Sequence, residues 1–290
     1  LINLWISEFG RDKTEDLCAW FNEQPKLTAR INTILIDIPQ CLTMLNEQGW
    51  AVTQDSNYED IIYINSHRGS LEKSEAFIKG YITFMDKASM LVARLVNPQP
   101  GERILDCCAA PGGKSMYMAT LMDNVGSLMS CDIHEHKIEL MNSNADRLGA
   151  SIVHTKVQDA TKLPDSWNSY FDRVLVDAPC SGLGILQKKL DMRWRKQESI
   201  LSELPSLQLA ILERAAMTVK EKGYLIYSTC TLNYKENEEV VESFLQKHKE
   251  FSIIPVADDF PLKSNSGMIT TYPPTDDMDG FFMVKMQRIS

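Results

Sequence analysis

The feature that most constrains the fold is a regular alternation of short apolar runs with longer helical stretches, which begins at Arg103. The apolar runs are ILDCC, SLMSCD, SIVHTKV, FDRVLVDA, GYLIYSTC, FSIIPV and FFMVKM. Uninterrupted runs of this length are typical of strands that are buried on both faces of a parallel sheet. The sequence therefore predicts an α/β fold, a doubly wound sandwich with helices on both faces of a mostly parallel sheet.

The residues before Arg103 follow a different pattern. We predict helices over 13–22 and 39–48 and strands over 29–35, 50–53 and 61–64, an α+β arrangement. This pattern predicts a small accessory domain over 1–78 and a main domain over 79–290. The charged residues of the accessory domain are mixed in sign, so a packing role and a substrate-binding role are equally open. Apolar residues at helical spacing between Gly80 and Pro98 predict a helix that leads into the main domain.

Composition and charge narrow the functional classes. No apolar stretch runs uncharged for the ~20 residues that a membrane span needs, and the first residues lack the basic region of a signal peptide. The 7 cysteines are scattered and odd in number, which fits a reducing cytoplasm better than a secreted disulfide framework. The net charge of −9 argues against a uniformly basic surface for nucleic acid, so any RNA contact must be local. The missing start Met indicates a trimmed chain or a fragment.

A cofactor loop is predicted in the segment ILDCCAAPGGKS, which reads as a strand, a loop of small residues and a helix start. In doubly wound folds, ligands lie beyond the carboxyl ends of the strands, where backbone amides and a helix N-terminus approach them. A nucleotide triphosphate loop is disfavoured, because that motif needs Gly at the position of Cys108. The residues predicted to bind the cofactor are Cys108, Ala109, Ala110, Pro111, Gly112, Gly113 and Lys114.

Two carboxylates follow the next strands. Asp132 lies about 20 residues after the glycines, where such folds hydrogen-bond a ribose diol. Asp159 follows SIVHTKV and is suited to accept from an adenine amino group, with a helix N-cap as the alternative. His134 and His136, with Cys131 nearby, resemble metal ligands, but residues two apart on a helix point to different faces. A solvated helix start is the favoured interpretation, and no metal is predicted.

Two cysteines leave strand ends at the same predicted sheet edge. Cys180 follows FDRVLVDAP and Cys230 follows GYLIYST. Free cysteines are usually inert buried residues, but two at such positions favour nucleophilic chemistry. One reaction that needs such a nucleophile is methylation at carbon 5 of a pyrimidine. Carbon 5 is itself a poor nucleophile, but addition of a thiolate to carbon 6 makes carbon 5 enamine-like. Asp177 is placed to assist through N3 and the exocyclic amine. The residues alone leave the choice between Cys180 and Cys230 open.

A local basic segment follows the Cys180 loop. A base inside a duplex cannot reach such a pocket, so the target must be single-stranded or flipped out, and a positive rim is expected. Trp194 is predicted to stack on a base, and a solvated basic helix start is the alternative interpretation. The residues predicted to bind RNA phosphates are Lys188, Lys189, Arg193, Arg195 and Lys196.

Together these motifs resemble the Nol/Nop/Sun family of RNA cytosine-5 methyltransferases. DCCAAPGGK, Asp132, Asp159, DAPCSGLG, MRWR and STCT recur in the family's order, and the resemblance extends from about Trp5 to DGFFMVKM. Within the family, the chain looks most like bacterial members that act on small-subunit ribosomal RNA. Their full form carries an extra N-terminal helical RNA-binding domain, which is missing here.

The resemblance implies a class I (Rossmann-like) S-adenosylmethionine-dependent methyltransferase fold with seven strands. It implies cofactor contacts at 108–114, Asp132, Asp159 and Asp177. It also implies that Cys230 attacks the base, while Cys180 assists release of the product. One departure is FMDKAS, where the family usually has Gln-Asp or Gln-Glu before Ala-Ser; it concerns Asp86 and leaves the core motifs unchanged.

The resemblance further implies methyl transfer from S-adenosylmethionine to carbon 5 of a cytosine in RNA, with small-subunit ribosomal RNA as the expected substrate. RNA is the expected partner, and no membrane or obligate protein partner is expected. Two other functions stay open. One is a methyltransferase of different chemistry, on uridine carbon 5 or an amine nitrogen, that shares only the cofactor fold. The other is a non-catalytic RNA-binding or assembly factor.

Overall fold

The structure is a computed structural model that describes residues 1–195 and 198–289. The helices, in chain order, are α1 (Ile2–Phe9), α2 (Arg11–Trp20), α3 (Ile38–Glu47), α4 (Glu75–Ile78), α5 (Lys87–Val96), α6 (Gly113–Leu121), α7 (Glu135–Leu148), α8 (Met192–Arg195), α9 (Glu198–Ala216), α10 (Glu238–Lys247) and α11 (Pro273–Asp276). The strands are β1 (Thr28–Ile31), β2 (Ala51–Gln54), β3 (Ile61–Ser66), β4 (Ile82–Phe84), β5 (Arg103–Asp106), β6 (Ser127–Asp132), β7 (Val153–Val157), β8 (Phe171–Asp177), β9 (Val219–Thr229), β10 (Phe251–Ile253), β11 (Met268–Thr270) and β12 (Phe282–Arg288).

The main sheet has the order β10-β12-β9-β8-β5-β6-β7, and β11 pairs with β12 outside this order. Strands β5 to β9 pair in parallel, whereas β12 runs antiparallel to β9. Alternate side chains enter two cores, so that Leu175 and Ile226 pack with α5 and α6, while Val174 and Leu225 pack with α9 and α10. The predicted doubly wound α/β fold is confirmed.

The N-terminal strands form a separate antiparallel sheet in the order β2-β3-β1-β4. Strand β1 ends at Ile31, earlier than predicted, because the Asn32 side chain turns the chain by donating to the carbonyl groups of Gly80 and Leu148 at 2.9 and 2.8 Å. Strand β4 pairs with β1 and was not predicted from the sequence. The pairing extends this sheet to Phe84, six residues past position 78, and the domain division at 78 stays a prediction.

Buried polar contacts join the small sheet to α6. The guanidinium of Arg30 is fully buried, lies 5.1 Å from the centre of the Tyr117 ring and donates to Thr120 Oγ1 at 3.1 Å. Tyr117 donates its hydroxyl to Asp60 at 2.7 Å, and Asp60 also pairs with Arg94. Because α6 begins at the predicted cofactor loop, the small sheet supports the helix that leaves this loop.

The first two helices contact the main domain instead of the small sheet. Trp5 and Leu17 pack in a buried cluster with Leu183, Leu186 and Leu232. The N-terminal segment therefore covers the chain just beyond Cys180 and Cys230. Among the residues that the structure describes, no helix is long and apolar enough to cross a bilayer.

Candidate active site

A cavity of about 340 Å³ opens at the carboxyl edge of the parallel strands. The strands β6 and β8 end in Asp132 and Asp177, and the turn after β9 begins at Cys230. These three residues and Cys180, all predicted from the sequence, line this cavity together. The large apolar side chains of the lining were not predicted as site residues; they are Ile133, Ile185, Met192, Leu207 and Ile211.

The predicted cofactor loop has the small-residue geometry that its sequence indicates. Gly112 adopts φ 98°, and an added Cβ atom there would lie 3.2 Å from Met141 Cγ, so the position favours glycine. The Ala109 amide donates to the Cys131 carbonyl at 2.7 Å and ties the loop to β6. Of the loop residues, Cys108 and Ala110 line the cavity; within the described chain, Ala109, Pro111, Gly112, Gly113 and Lys114 are not part of the lining.

Asp132 and Asp159 lie on the same side of the cavity. Asp132 is buried, accepts from the His134 amide at 3.0 Å and lies 3.6 Å from the Lys137 ammonium. Asp159 accepts from the amide and the hydroxyl of Thr161 at 2.9 and 2.7 Å, and the hydroxyl bond is the main reason that its pKa is lowered. Asp159 therefore caps a short 3-10 turn, as the alternative interpretation expects, while its carboxylate also lines the cavity.

The two cysteines meet although 50 positions separate them in the chain. Their sulfur atoms are 3.2 Å apart, and the Cys230 amide donates to Cys180 Sγ at 3.3 Å. Beside them, the Lys114 ammonium donates to Asp177 Oδ2 at 2.7 Å, and the Ser228 hydroxyl donates to Asp177 Oδ1 at 2.8 Å. The arrangement puts two thiols, a carboxylate and an ammonium group at one end of the cavity.

Asp106 was not predicted from the sequence as a residue near the site. It is the last residue of β5 and directly precedes the segment that contains the predicted cofactor loop. Its side chain is fully buried, and burial raises its pKa to about 7. The Ser115 hydroxyl donates to Asp106 Oδ2 at 2.7 Å, and Ser130 in turn donates to Ser115 at 2.8 Å. The signal for this residue was present, because Asp106, like Asp132 and Asp177, is the last residue of a parallel strand.

Two of the cations predicted to bind RNA are engaged within the chain. Lys188 pairs with Asp86 and, at 2.9 Å, with Asp279, and Asp86 also caps α5. Burial raises the pKa of Asp279 to about 7. These ion pairs of Lys188 connect the segment after Cys180 to the start of α5 and to the loop before β12.

Arg193 contacts the end of α2, where it donates to the Asn22 side chain at 2.9 Å and to the Phe21 carbonyl. Lys189 is exposed. Lys196 and the side chains of Trp194 and Arg195 lie outside the described residues. RNA binding by this segment stays a prediction. His134 and His136 are exposed at the start of α7, as predicted.

Gly184 is where the Cys180 loop, the Cys230 turn and the loop before β12 meet. Its amide donates to the Cys230 carbonyl at 3.0 Å, its carbonyl accepts from Gly280 at 2.8 Å, and an added Cβ atom would lie 1.8 Å from the Gly280 oxygen. We therefore expect Gly184→Ala to lower the free energy of unfolding by about 3 kcal/mol, measured by urea denaturation. Gly69→Ala is the control, because its Cβ meets open space and only its positive φ is strained, at a cost of about 1 kcal/mol. Equal losses in the two variants would contradict the close packing at Gly184.

Comparison with known proteins identifies two regions of the chain. Residues 93–287 match the family described as 16S rRNA methyltransferase RsmB/F. Residues 1–69 match the ferredoxin-like domain of RsmF/B-like methyltransferases. The second match agrees with the small antiparallel sheet, and the first spans the whole parallel sheet and both cysteines.

Curated relatives align over nearly the whole chain. A probable ribosomal RNA small subunit methyltransferase B of Bacillus subtilis is 37% identical over 99% of this chain and 65% of its own length. A probable protein of the same name from Synechocystis is 36% identical over 99% of this chain and 66% of its own length. The chain thus spans just under two thirds of the length of these relatives.

Solved structures share the fold. NSun6 from Pyrococcus horikoshii, solved with SFG, superposes with a TM-score of 0.90 at 21% identity, and covers 100% of this chain and 98% of its own. A methyltransferase homologue from the same organism has a TM-score of 0.86 at 23% identity, over 99% of this chain and 93% of its own. These likenesses establish the fold of both domains. From the family match and the 37% identity, the chain belongs to the 16S rRNA methyltransferase RsmB/F family.

Proposed function

We propose that the protein transfers a methyl group from S-adenosylmethionine to carbon 5 of a cytosine in small-subunit ribosomal RNA. The observation that carries this proposal is the pair of sulfur atoms 3.2 Å apart at the end of the cavity, beside the Asp177 carboxylate and the Lys114 ammonium. Carbon 5 needs activation by a nucleophile at carbon 6, and a paired cysteine site supplies both a nucleophile and a second sulfur for the later proton transfer. The names of the curated relatives support the ribosomal substrate.

The residues that line the cavity fit the proposed cofactor. Asp132 presents a buried carboxylate to a ribose diol, Asp159 offers a carboxylate to an adenine amino group, and Ile133 adds an exposed apolar surface between them. SFG, bound by the NSun6 protein, is an analogue of S-adenosylmethionine. The cofactor supplies an electrophilic methyl group when it is bound.

In the proposed reaction, Cys230 adds as a thiolate to carbon 6 of the cytosine and forms a carbon–sulfur bond. Asp177, held in place by Lys114 and Ser228, supports the electron shift by accepting a hydrogen bond from the exocyclic amine beside N3. After carbon 5 is methylated, Cys180, having released its own proton to solvent, takes the proton from carbon 5 as a thiolate. The Cys230–carbon 6 bond then breaks, its electrons return to the sulfur, and the ring double bond re-forms.

Residues 79–290 are proposed as the catalytic domain and residues 1–78 as an accessory domain that contributes to RNA binding. Among the described residues of the predicted basic rim, Lys189 is exposed and is proposed to contact a phosphate. Binding to a single strand or a flipped-out base is expected, because the cavity cannot admit a base that stays stacked in a duplex.

The test of the proposed reaction is incubation with labelled S-adenosylmethionine and unmodified small-subunit ribosomal RNA, with the methylated nucleoside identified by mass. Methylcytosine is the expected product. Methyluridine or methyladenosine would replace this proposal by a methyltransferase of different chemistry. Failure to bind S-adenosylmethionine in calorimetry would instead indicate a non-catalytic RNA-binding factor.

Asp132→Ala is expected to weaken S-adenosylmethionine binding by about 10-fold to 100-fold, because a hydrogen bond to a charged group contributes about 1.5–3 kcal/mol. Isothermal titration calorimetry measures this change without RNA. Asp146→Ala is the matched control, since Asp146 is an exposed carboxylate on α7 outside the cavity lining. An affinity equal to that of the control would remove Asp132 from the cofactor site.

A further inference from the structure

Glu236 is a fully buried carboxylate six positions after Cys230, and the proposed reaction does not use it. Four groups donate to its two oxygen atoms. Ser181 donates through its amide at 2.8 Å and through its hydroxyl, Gln208 donates at 3.0 Å, and Asn233 donates at 2.9 Å. All four donors are neutral groups, and all three residues are buried.

These donors belong to the segments that carry the two cysteines. Ser181 is the residue after Cys180, and Asn233 lies in the turn that follows Cys230. Gln208, on α9, also donates to the Pro179 carbonyl at 3.0 Å, so it holds the Cys180 loop from its other side. One carboxylate therefore joins both cysteine-bearing turns to each other and to α9.

A second set of hydrogen bonds joins the same two cysteine-bearing turns. The hydroxyl groups of Ser181 and Thr231 are 2.7 Å apart, and the Asn237 side chain donates to the Thr231 carbonyl at 2.9 Å. The Tyr227 hydroxyl donates to the Glu236 carbonyl at 2.6 Å. Every residue in this network is buried. The network thus connects Glu236 to Ser181 and Thr231, the residues that follow Cys180 and Cys230.

A buried carboxylate that is satisfied only by neutral donors costs more free energy than an apolar side chain of the same size. A buried charge next to reactive groups is therefore a candidate for a functional role. The reactive groups nearest to the network are the two sulfur atoms.

The two sulfur atoms have charged neighbours of opposite sign. The hydrogen bond to Cys230, burial and the electrostatic effect of Cys230 raise the pKa of Cys180 above its ordinary value. The Glu236 charge raises this pKa further, and the hydrogen bond from the Cys230 amide opposes the rise. Burial opposes a charge on Lys114, but Asp177 and, to a smaller extent, Cys230 raise its pKa above the ordinary value. Other titratable neighbours are Asp177, Cys108 and Tyr227, a buried phenol whose pKa is raised by burial and by Cys180. The Glu236 charge therefore raises the pKa of Cys180, and the Lys114 ammonium lies near Cys230.

We propose that Glu236 is a positioning residue that holds the Cys180 and Cys230 turns together and makes Cys230, rather than Cys180, the sulfur that attacks the base. This proposal rests on the proposed cysteine chemistry. It also supplies the physical basis for a choice that the residues alone leave open.

The first test measures the thiols without RNA. In a Cys230→Ala background, the pH profile of Cys180 alkylation by iodoacetamide is followed by peptide mass analysis, with and without Glu236→Gln. Removal of the negative charge is expected to shift the midpoint of the profile toward lower pH by about one unit. Glu239→Gln removes an exposed charge from α10, the helix that follows Glu236, and is expected to leave the profile unchanged. An unchanged profile in Glu236→Gln would overturn the electrostatic role.

The second test measures methyl transfer in the otherwise unaltered chain. Glu236→Gln is expected to lower kcat about 100-fold and to leave the KM for S-adenosylmethionine within about twofold, because Glu236 does not contact the cofactor cavity. Glu236→Asp keeps the charge but shortens the reach, so its kcat falls while the Cys180 alkylation midpoint stays at the wild-type pH. Wild-type kcat in both variants would overturn the positioning role.

Two further measurements separate a failure of this proposal from a failure to fold and from a failure of the proposed function. If Glu236→Gln does not fold, as judged by circular dichroism, Ser181→Ala removes one donor from the same network and is expected to lower kcat about 10-fold; wild-type kcat there would count against the proposal. If the wild-type chain makes no methylcytosine, the proposed function fails, while the alkylation profile still decides whether Glu236 controls Cys180.

Discussion

Cys230→Ala abolishes methylcytosine formation, with an expected loss of at least about 10⁴-fold, because the sulfur proposed to form the bond to carbon 6 is removed. The fold should survive, since the change removes one half-buried sulfur atom. The measurement is methylcytosine per protein molecule after incubation with S-adenosylmethionine and unmodified small-subunit ribosomal RNA. Binding of S-adenosylmethionine, measured by calorimetry, is expected to persist.

Cys18→Ala is the matched control for this variant. Cys18 is also half-buried, but it lies on α2 away from the cavity, so its removal should leave methyl transfer at the wild-type rate. Retention of full activity by Cys230→Ala would refute the covalent mechanism. Loss of activity in both variants would indicate a general effect of the substitutions on folding instead.

Cys180→Ala is expected to accumulate a covalent protein–RNA adduct, whereas Cys230→Ala is expected to form none. Cys230 still attacks and carbon 5 is still methylated, but the sulfur 3.2 Å away that takes the carbon 5 proton is gone. Elimination then becomes slow, and turnover is expected to fall about 10³-fold, the contribution of a positioned general base. Denaturing gels with labelled RNA detect the adduct, and its mass shows the added methyl group.

The double variant Cys180→Ala/Cys230→Ala identifies the sulfur that forms the adduct. It is expected to give no covalent species, since the attacking thiol is absent. An adduct in Cys230→Ala and none in Cys180→Ala would mean that the two cysteines have exchanged roles. That result would also contradict the inferred action of Glu236 on Cys180.

Local sequence patterns were sufficient for the main architecture. The strands β5, β6, β8, β9 and β12 coincide with apolar runs because residues buried on both faces of a sheet must be apolar at nearly every position. The end of α5 follows from Asn97, which adopts the left-handed conformation, and Pro98. Strand β4 was missed, because three residues that pair only with the distant β1 leave no periodic signal.

The predicted basic rim shows that the sequence does not reveal which charged side chains already have partners within the folded chain. Lys188 and Arg193 lie in a basic segment, which favours a phosphate-binding role, yet their partners are far away in the chain. Asp86 and Asp279 stand 102 and 91 positions from Lys188, and Asn22 stands 171 positions from Arg193. Only the folded chain brings these groups within hydrogen-bond distance.

The burial of Glu236 could not be predicted from the sequence either. The segment KENEE reads as a solvated charged run, yet Glu236 is fully buried, because Ser181 and Gln208 reach it from two distant segments. Nothing in its immediate neighbours predicts that environment.

The sequence by itself determined the fold class, the loop of small residues after β5, and the placement of Asp132, Asp177, Cys180 and Cys230 at or just after strand ends, since strand burial and loop composition are local properties. The tertiary structure alone decided that the two sulfur atoms are in contact, that Lys188 is already paired, and that Glu236 is buried against the Cys180 loop. Those features depend on distances between segments far apart in the chain, and such distances are set only when the two cores pack.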